Sequence, residues 1–220
     1  PIVMMLYDIL EYKGKDIRLQ PLEERQQLLK NLYKGYQGDK IPLLLSEVLT
    51  FTNWNQVADE RKKAPEKRSE GLMLKHKNSA YAVGRKKGYW YKWKSDPKTI
   101  DAVLTYAMRG HGRRTNLYTD YTFALWENEK LVTFAKAYSG LADTEIKKVD
   151  RFVKQNTIDR FGPVRQVKPE LVFEIAFEGI ASSSRHKSGF AVRFPRILRW
   201  RHDKKIADAN SINDLKQFLR

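Results

Sequence analysis

The sequence predicts an α+β chain in two consecutive parts, a mixed helix and strand segment over residues 1–95 and a small β-barrel over residues 96–220. Three observations predict this division. Apolar runs alternate with amphipathic helical patterns in the first part. Asp96-Pro97 then interrupts the pattern. Beyond that point, short strand patterns surround a single helical pattern, which is typical of a five-stranded OB barrel.

The strands predicted in the first part are strongly apolar. The continuous run at 2–10 predicts a strand that is covered on both faces, and the run at 42–51 predicts a second buried strand. Shorter strands are predicted near 71–76, 80–84 and 89–94. Because an apolar strand begins at residue 2, we expect the chain to be a fragment or to need a missing half.

Two helices separate these strands. Pro21 opens a helix over about 22–34, with acidic residues in its first turn, where they complement the helix dipole. A second helix is predicted over 53–64, with Asn53 or Asn55 as its N-cap.

The second part has one main helix, predicted over 143–158 from apolar residues at helical spacing. A short helix is predicted at 211–219. The predicted strands lie at 100–108, 117–126, 131–137, 164–168, 171–180 and 189–201.

The composition is strongly basic. The chain has 42 Lys and Arg against 26 Asp and Glu, a formal net charge of +16. Such an excess favours a polyanionic partner, with nucleic acid first, an anionic membrane surface second, and a merely soluble basic protein as the plain alternative. The chain has no cysteine, which excludes disulfides and cysteine zinc sites and fits a reducing cytoplasm. No apolar run has the length of a membrane helix.

Two segments alternate basic and aromatic residues. In the predicted strand around residue 90, Lys92 and Lys94 share one face, while Tyr91 and Trp93 share the other. Two adjacent lysines repel each other unless a phosphate lies between them. The alternative is a solvated edge on which lysines discourage aggregation.

The second such segment spans 193–205. Alternation predicts that Phe194, Leu198 and Trp200 face inward. The same alternation predicts that Arg199, Arg201 and Asp203 face outward. Arginine offers a planar fork for phosphate, so phosphate binding is favoured over a solvated barrel strand.

Further charged positions lie at a strand start and in two loops. Glu70 begins the apolar strand 71–76, where it is either a functional carboxylate or a simple strand-edge residue. Each loop is either a DNA contact or an ordinary barrel loop, and the residues concerned are Arg109, Arg113 and Arg114 in the first and Arg185 and Lys187 in the second. The histidines show no ligand spacing, so no metal role is predicted for them.

Taken in order, four segments resemble motifs of the covalent nucleotidyltransferases. Residues 5–10 (MLYDIL) resemble motif III, 70–75 (EGLMLK) motif IV and 90–94 (WYKWK) motif V. Residues 193–204 (RFPRILRWRHDK) resemble the long motif VI of ATP-dependent DNA ligases, and the chain is similar to a bacterial branch of that family.

This resemblance implies a fold, a chemistry and site residues. The fold is the C-terminal part of a nucleotidyltransferase (adenylation) domain over 1–95, followed by an OB-fold domain over 96–220. Tyr7 would stack on adenine, Glu70 would bind a metal, and Lys92 and Lys94 would be catalytic by holding the AMP phosphate. Motif VI would bind ATP and orient the departing pyrophosphate through Arg193, Arg199, Arg201, Asp203 and Lys204.

The same resemblance implies ATP and Mg²⁺ as cofactors and nicked double-stranded DNA as partner. It also implies no membrane association, a monomer, and a bacterial cytoplasmic location at the nucleoid. The five loop cations, Arg109, Arg113, Arg114, Arg185 and Lys187, would contact DNA.

One motif of the family is not found. Motif I, Lys-x-Asp-Gly, supplies the lysine that carries AMP, and the nearest string here is Lys94-Ser-Asp-Pro. We therefore expect that the N-terminal half of the ligase is missing and that this chain does not self-adenylate. The alternatives are a non-catalytic DNA-binding OB module, or a relative of RNA ligases and capping enzymes. The form of motif VI and the C-terminal helix argue against that relative, and the lack of zinc-finger cysteines disfavours an NAD-dependent ligase.

Overall fold

The computed structural model describes residues 2–36, 42–67 and 69–219. The chain divides into two compact units, Pro1–Ser95 and Asp96–Arg220. Among the described residues, no helix is both long and apolar enough to cross a membrane.

The first unit contains three small sheets and two helices. β1 (Met4–Leu6) pairs in parallel with β4 (Leu43–Leu45), β2 (Glu11–Tyr12) forms a hairpin with β3 (Lys15–Asp16), and β5 (Gly71–Lys75) pairs antiparallel with β6 (Trp90–Lys94). The helices are α1 (Leu22–Lys34) and α2 (Trp54–Lys62).

The apolar strands of this unit differ from the prediction. β1 and β4 have three residues each, and Met4 and Met5 are about half exposed. The expectation of strands covered on both faces is therefore wrong for the described part of the chain, because β1 and β4 pair only with each other there and Leu44 of β4 is 43% exposed as well.

The prediction of a strand at 80–84 is also wrong. The backbone there bonds irregularly instead, with Tyr81 N donating to Arg18 O at 2.8 Å and Leu22 N donating to the adjacent Ser79 O at 3.0 Å. Asn53 is the N-cap of α2, where its side chain accepts a hydrogen bond from Gln56 N, so this predicted cap is confirmed.

The second unit is built on a curled seven-stranded sheet and one long helix. That helix, α3 (Asp143–Gln155), packs Val149 and Val153 into the core, and the short α4 (Ile212–Lys216) lies near the C-terminus. The strands are β7 (Lys98–Arg109), β8 (Tyr118–Glu127), β9 (Lys130–Ala137), β10 (Thr157–Phe161), β11 (Val164–Val167), β12 (Val172–Phe177), β13 (Gly179–Ser182), β14 (Phe190–Arg193) and β15 (Arg196–Trp200).

Five of these strands form the barrel, in the order β9-β8-β7-β12-β15. Its ends meet where Ile197 N of β15 donates to Ser139 O, just beyond β9, at 2.9 Å. The long strand β7 also pairs with β11 near its C-terminal end, so β10 and β11 extend the sheet, while β13 and β14 form a separate hairpin. Aromatic and aliphatic side chains such as Phe123, Phe173 and Ile175 fill the interior. This architecture agrees with the predicted OB barrel.

Three predicted elements of this unit are corrected. α3 ends at Gln155, and 157–161 is a strand. The predicted strand 171–180 is two strands, β12 and β13. The predicted strand 189–201 is likewise two, β14 and β15, because Phe194 has a φ of +52° and breaks the extended backbone before Pro195.

Candidate nucleotide and nucleic-acid sites

The hairpin of β5 and β6 creates one functional face in the first unit. Its register places Met73 opposite Lys92 and Gly71 opposite Lys94, so these side-chain positions share one face. Gly71 has a φ of +137°, and a Cβ there would lie 2.2 Å from Trp93 O. Only glycine fits this close approach, which holds the neighbouring Glu70 beside the end of β6.

Tyr7 lies beside this face in an aromatic cluster. Lys75 Nζ is 4.6 Å from the centroid of the Tyr7 ring and 4.2 Å from that of Trp90. The Tyr7 and Trp90 rings meet edge to face at 6.5 Å, and Tyr81 contacts Trp90 at 5.6 Å. Tyr7 remains 48% exposed, which leaves ring surface on which a planar base could stack.

This environment shifts the pKa values of two side chains. Burial lowers the pKa of the Lys75 ammonium, whereas a hydrogen bond with the Tyr81 side chain raises the pKa of the Tyr7 hydroxyl. Sequence reasoning selected Tyr7 but missed Lys75, Trp90 and Tyr81. The signal for Lys75 and Trp90 was their position opposite each other in two alternating strands, and nothing local marked Tyr81.

Glu70 and Lys94 form an exposed pair on the same hairpin. Their charged atoms are 3.8 Å apart, and the two side chains are 50% and 43% exposed. Such a pair contributes about 0–1 kcal/mol, so it competes weakly with an incoming cation or phosphate. Lys92 is exposed on the same face.

A buried ion pair anchors the backbone next to Tyr7. Asp8 accepts two hydrogen bonds at 2.9 Å from Arg25 of α1, and both side chains are at most 3% exposed. Arg25 also donates to the carbonyl oxygens of Gln20 and Ser79, so its buried charge is fully engaged. Asp8 therefore has a structural role, because its bonds to Arg25 fix the chain beside Tyr7.

In the second unit, the inward and outward positions of 193–205 differ from the prediction. Phe194 and Leu198 are 59% and 48% exposed, whereas Ile197 is buried. The physical reason is twofold: Phe194 sits at the backbone break, and β15 carries a β-bulge at Leu198, where its register against β12 shifts. A bulge adds one residue and reverses the facing of the residues that precede it.

The basic side chains of this segment are held by carboxylates. Arg199 Nε donates to Glu174 at 2.6 Å. Arg201 donates through Nη1 to Asp101 and through Nε and Nη2 to Asp203, while Lys204 Nζ contacts Asp101 at 2.6 Å. The hydrogen bonds between Arg201 and Asp203 raise the pKa of Arg201 and hold the pKa of Asp203 well below its usual range. Asp101 and Glu174 were missed by sequence reasoning.

The remaining member of the segment, Arg193, lies at the end of β14 with its guanidinium 4.9 Å from the Phe194 ring centroid. The structure thus groups Arg201, Asp203 and Lys204 around Asp101, pairs Arg199 with Glu174 on the neighbouring strand, and places Arg193 beside the exposed phenylalanine.

The loop cations are all exposed. Arg109 lies over the Tyr118 ring at 5.7 Å, and Arg114 pairs with Asp143 at 2.9 Å. A 3₁₀ turn, Gly112–Arg114, carries Arg113, while Arg185 and Lys187 lie in the loop between β13 and β14.

A groove of about 610 Å³ runs along the outside of the barrel sheet. Tyr106, Thr122 and Lys136 line it from three neighbouring strands, and Lys187 lines it from the loop. In the described part of the chain, Lys187 is the one predicted DNA-binding residue among its lining residues.

Comparison with known proteins identifies both units. Residues 1–94 match the family described as ATP dependent DNA ligase domain, and residues 114–204 match the ATP dependent DNA ligase C terminal region. A probable DNA ligase of Koribacter versatilis is 35% identical over the whole chain, and one of Opitutus terrae is 36% identical over 96% of it.

The chain spans only part of these relatives, 42% of the first and 24% of the second. A solved structure described as part of a structure-function analysis of Lig E DNA ligases shares the fold, with a TM-score of 0.61, 20% identity and coverage of 90% of this chain and 62% of that one. The predicted fold class and the predicted family are confirmed. The chain belongs to the ATP-dependent DNA ligase family and corresponds to part of the ligase domain together with the C-terminal region.

Proposed function

We propose that this chain is the phosphate- and DNA-binding part of a ligase that uses ATP to seal 5′-phosphate/3′-hydroxyl nicks in duplex DNA. One observation carries the proposal: the half-exposed Tyr7 ring lies against Lys75 and Trp90, on a hairpin whose same face presents Lys92 and Lys94. An aromatic ring for the base next to cations for the phosphate is the chemistry that an adenylate requires.

In the whole enzyme, AMP passes from ATP to a lysine, then to the 5′-phosphate of the nick, and the 3′-hydroxyl finally displaces it. Each step moves negative charge on the same phosphate. Lys92 and Lys94 stabilise that charge, and Tyr7 holds the adenine. Pyrophosphate departs in the first step, and the cations at 199–204 together with Arg193 are proposed to bind it.

Magnesium fits this site as a partner of the nucleotide. Among the described residues, no group of three or more His, Asp or Glu side chains is arranged to hold a metal ion. Mg²⁺ at nucleotide sites takes one or two carboxylates together with phosphate oxygens and water, so Glu70 suffices as the ligand from this hairpin. When bound, the ion would supply charge neutralisation at the phosphates.

Nicked DNA is proposed to contact the second unit through its exposed cations and through Phe194. The cations are Arg109, Arg113, Arg114, Arg185 and Lys187, and Lys187 borders the groove of the barrel. Phe194 is exposed next to Arg193, an arrangement suited to the minor groove, where apolar wedges accompany arginines.

DNA binding can be tested by fluorescence anisotropy with a labelled nicked duplex at several salt concentrations. We expect the logarithm of the affinity to fall linearly with the logarithm of the salt concentration. Arg185→Gln and Lys187→Gln should each reduce the slope by about 1, as expected for a lost phosphate contact. Lys147→Gln, an equal charge change on the exposed side of α3, should leave it unchanged. Equal effects of all three changes would contradict the proposed surface.

Adenylation by the chain itself is tested by the intact mass after incubation with ATP and Mg²⁺. We expect no added AMP, because no Lys-x-Asp-Gly string occurs in the sequence. A stable adduct would show that one of its lysines is the nucleophile. Nick binding without any adenylate preference would favour the alternative, a non-catalytic DNA-binding OB module.

A further inference from the structure

The cations of the segment at 199–204 form ion pairs with two acidic residues on neighbouring strands. Asp101 of β7 lies directly opposite Glu174 of β12, which in turn lies opposite Arg199 of β15. Glu174 binds Arg199, and Asp101 binds both Arg201 and Lys204. Two carboxylates side by side on a sheet repel each other, and three cations compensate for that repulsion here.

Asp101 is less exposed than either of the two cations that it binds. Its side chain is 8% exposed, against 14% for Arg201 and 29% for Lys204. Its backbone is fixed as well, because Asp101 N donates to Asn210 Oδ1 and Asn210 N donates to Asp101 O, both at 2.9 Å. The carboxylate therefore stands on a fixed strand and is hydrogen-bonded by both cations, while Asp203 holds Arg201 from the exposed side.

Long basic side chains lose conformational freedom when they bind an anion. Lys and Arg each carry about 2 kcal/mol of rotamer entropy. A carboxylate that already orders them removes much of that cost from the binding step.

We propose that Asp101 is a positioning residue, which orders Arg201 and Lys204 for binding the polyphosphate of the nucleotide, and that Glu174 does the same for Arg199. This inference rests on the proposed function, because it takes polyphosphate as the ligand of these cations. Neither acid touches the nucleotide; each acts through the cations that it holds.

The direction in which Asp101→Asn changes the affinity for an anion distinguishes positioning from simple electrostatics. Asp101→Asn removes a negative charge beside an anion site, so charge alone predicts tighter anion binding. Positioning predicts weaker binding, because Lys204 loses the charge of Asp101 and Arg201 keeps only the exposed Asp203 as a charged partner.

The experiment measures binding of inorganic tripolyphosphate to the 220-residue chain by isothermal titration calorimetry. We expect Asp101→Asn to weaken binding about tenfold and Glu174→Gln to weaken it less, since it holds one cation rather than two. Glu129→Gln, the loss of an exposed carboxylate in the turn between β8 and β9, should leave binding unchanged or slightly tighter. Unchanged or tighter binding by Asp101→Asn would overturn the inference.

A second readout separates positioning from a loss of structure. Binding of the nicked duplex at fixed salt should be preserved in Asp101→Asn, whereas misfolding would lower both affinities. If both fall together, the role of Asp101 is structural and the inference is overturned. If the wild-type chain binds nicked duplex but not tripolyphosphate, the inference fails while the proposed DNA-binding function stands. If the wild-type chain binds tripolyphosphate but not the nicked duplex, the proposed DNA-binding function fails.

Discussion

The two units hold the cations that we propose for phosphate binding in different ways. On the hairpin of the first unit, Lys94 is close to half exposed and lies 3.8 Å from Glu70. In the second unit, Lys204 contacts the buried Asp101 at 2.6 Å. The first lysine is paired with an exposed carboxylate, and the second with a buried one. We therefore expect the hairpin to adjust to a phosphate that changes partners, and the barrel to offer its cations in a fixed arrangement.

The largest effect is expected where a charge of the first unit is buried. Asp8→Asn leaves Arg25, which is fully buried, without its counter-ion, and we expect it to cost about 3–5 kcal/mol of unfolding free energy. Urea unfolding followed by tryptophan fluorescence measures this cost. Asp16→Asn, which breaks the exposed pair with Arg18, should cause little change. Equal costs for both variants would contradict the buried pair as the anchor of Tyr7.

Glycines at close approaches should come next, and they compare the two units directly. A Cβ on Gly71 would lie 2.2 Å from Trp93 O, and one on Gly140 would lie 1.7 Å from Ile197 O, with φ values of +137° and +114°. We expect Gly71→Ala and Gly140→Ala each to cost about 3 kcal/mol.

Gly84→Ala is the matched control for both, since its φ is also positive but no atom lies within 4 Å of the added Cβ. It should cost about 1 kcal/mol. If all three variants lost equal stability in urea unfolding, backbone conformation alone would explain the losses and the close approaches would not matter.

These contrasts show what could be predicted from sequence. β6 is a regular strand, so alternation correctly assigned Lys92 and Lys94 to one face. β15 contains a bulge and follows a residue with positive φ, so the same rule failed for Phe194 and Leu198. Bulges depend on the partner strand and leave no local signature.

The partners of the basic residues were equally hidden from sequence. Asp101 precedes Arg201 by a hundred residues, and only the barrel pairing brings them together. The order of the four motifs predicted the family and the fold class because that information is local and collinear. Tyr81 was missed because its contact with Trp90 joins separate segments. Lys75 and Trp90 were missed because their contact depends on the register of β5 against β6, although the alternation of both strands was visible in the sequence.

A smaller effect is expected at Phe194, where stability and binding should change in opposite directions. Its φ of +52° suits glycine, so Phe194→Gly should raise stability by up to about 1 kcal/mol. The same change should weaken binding of nicked duplex several-fold, because it removes the exposed ring. Leu198→Gly provides a comparison at an exposed apolar residue on the bulge. A loss of stability together with unchanged DNA affinity would show that Phe194 serves packing.

The smallest expected effect is a change in the pKa of Tyr7 in the first unit. The hydrogen bond with Tyr81 raises the pKa of Tyr7 above its ordinary value of 10.0. Tyr81→Phe should lower the pKa of Tyr7 toward that value, while Tyr36→Phe should leave it unchanged. An NMR titration of ¹³C-labelled tyrosine follows the midpoint, and no response to Tyr81→Phe would place the cause elsewhere.

The central claim is that the hairpin face of the first unit binds the phosphate of AMP. The most direct test compares the affinity of the chain for a nicked duplex with a 5′-adenylated end against the same nick with a plain 5′-phosphate. We predict that the wild-type chain binds the adenylated nick more tightly and that Lys92→Ala and Lys94→Ala remove this preference, while Lys147→Ala retains it. We expect the preference to be about tenfold, because the contacts of the lysines with the AMP phosphate are charge-assisted hydrogen bonds. Equal affinity for the two nicks, or a preference that survives both hairpin substitutions, would contradict the claim.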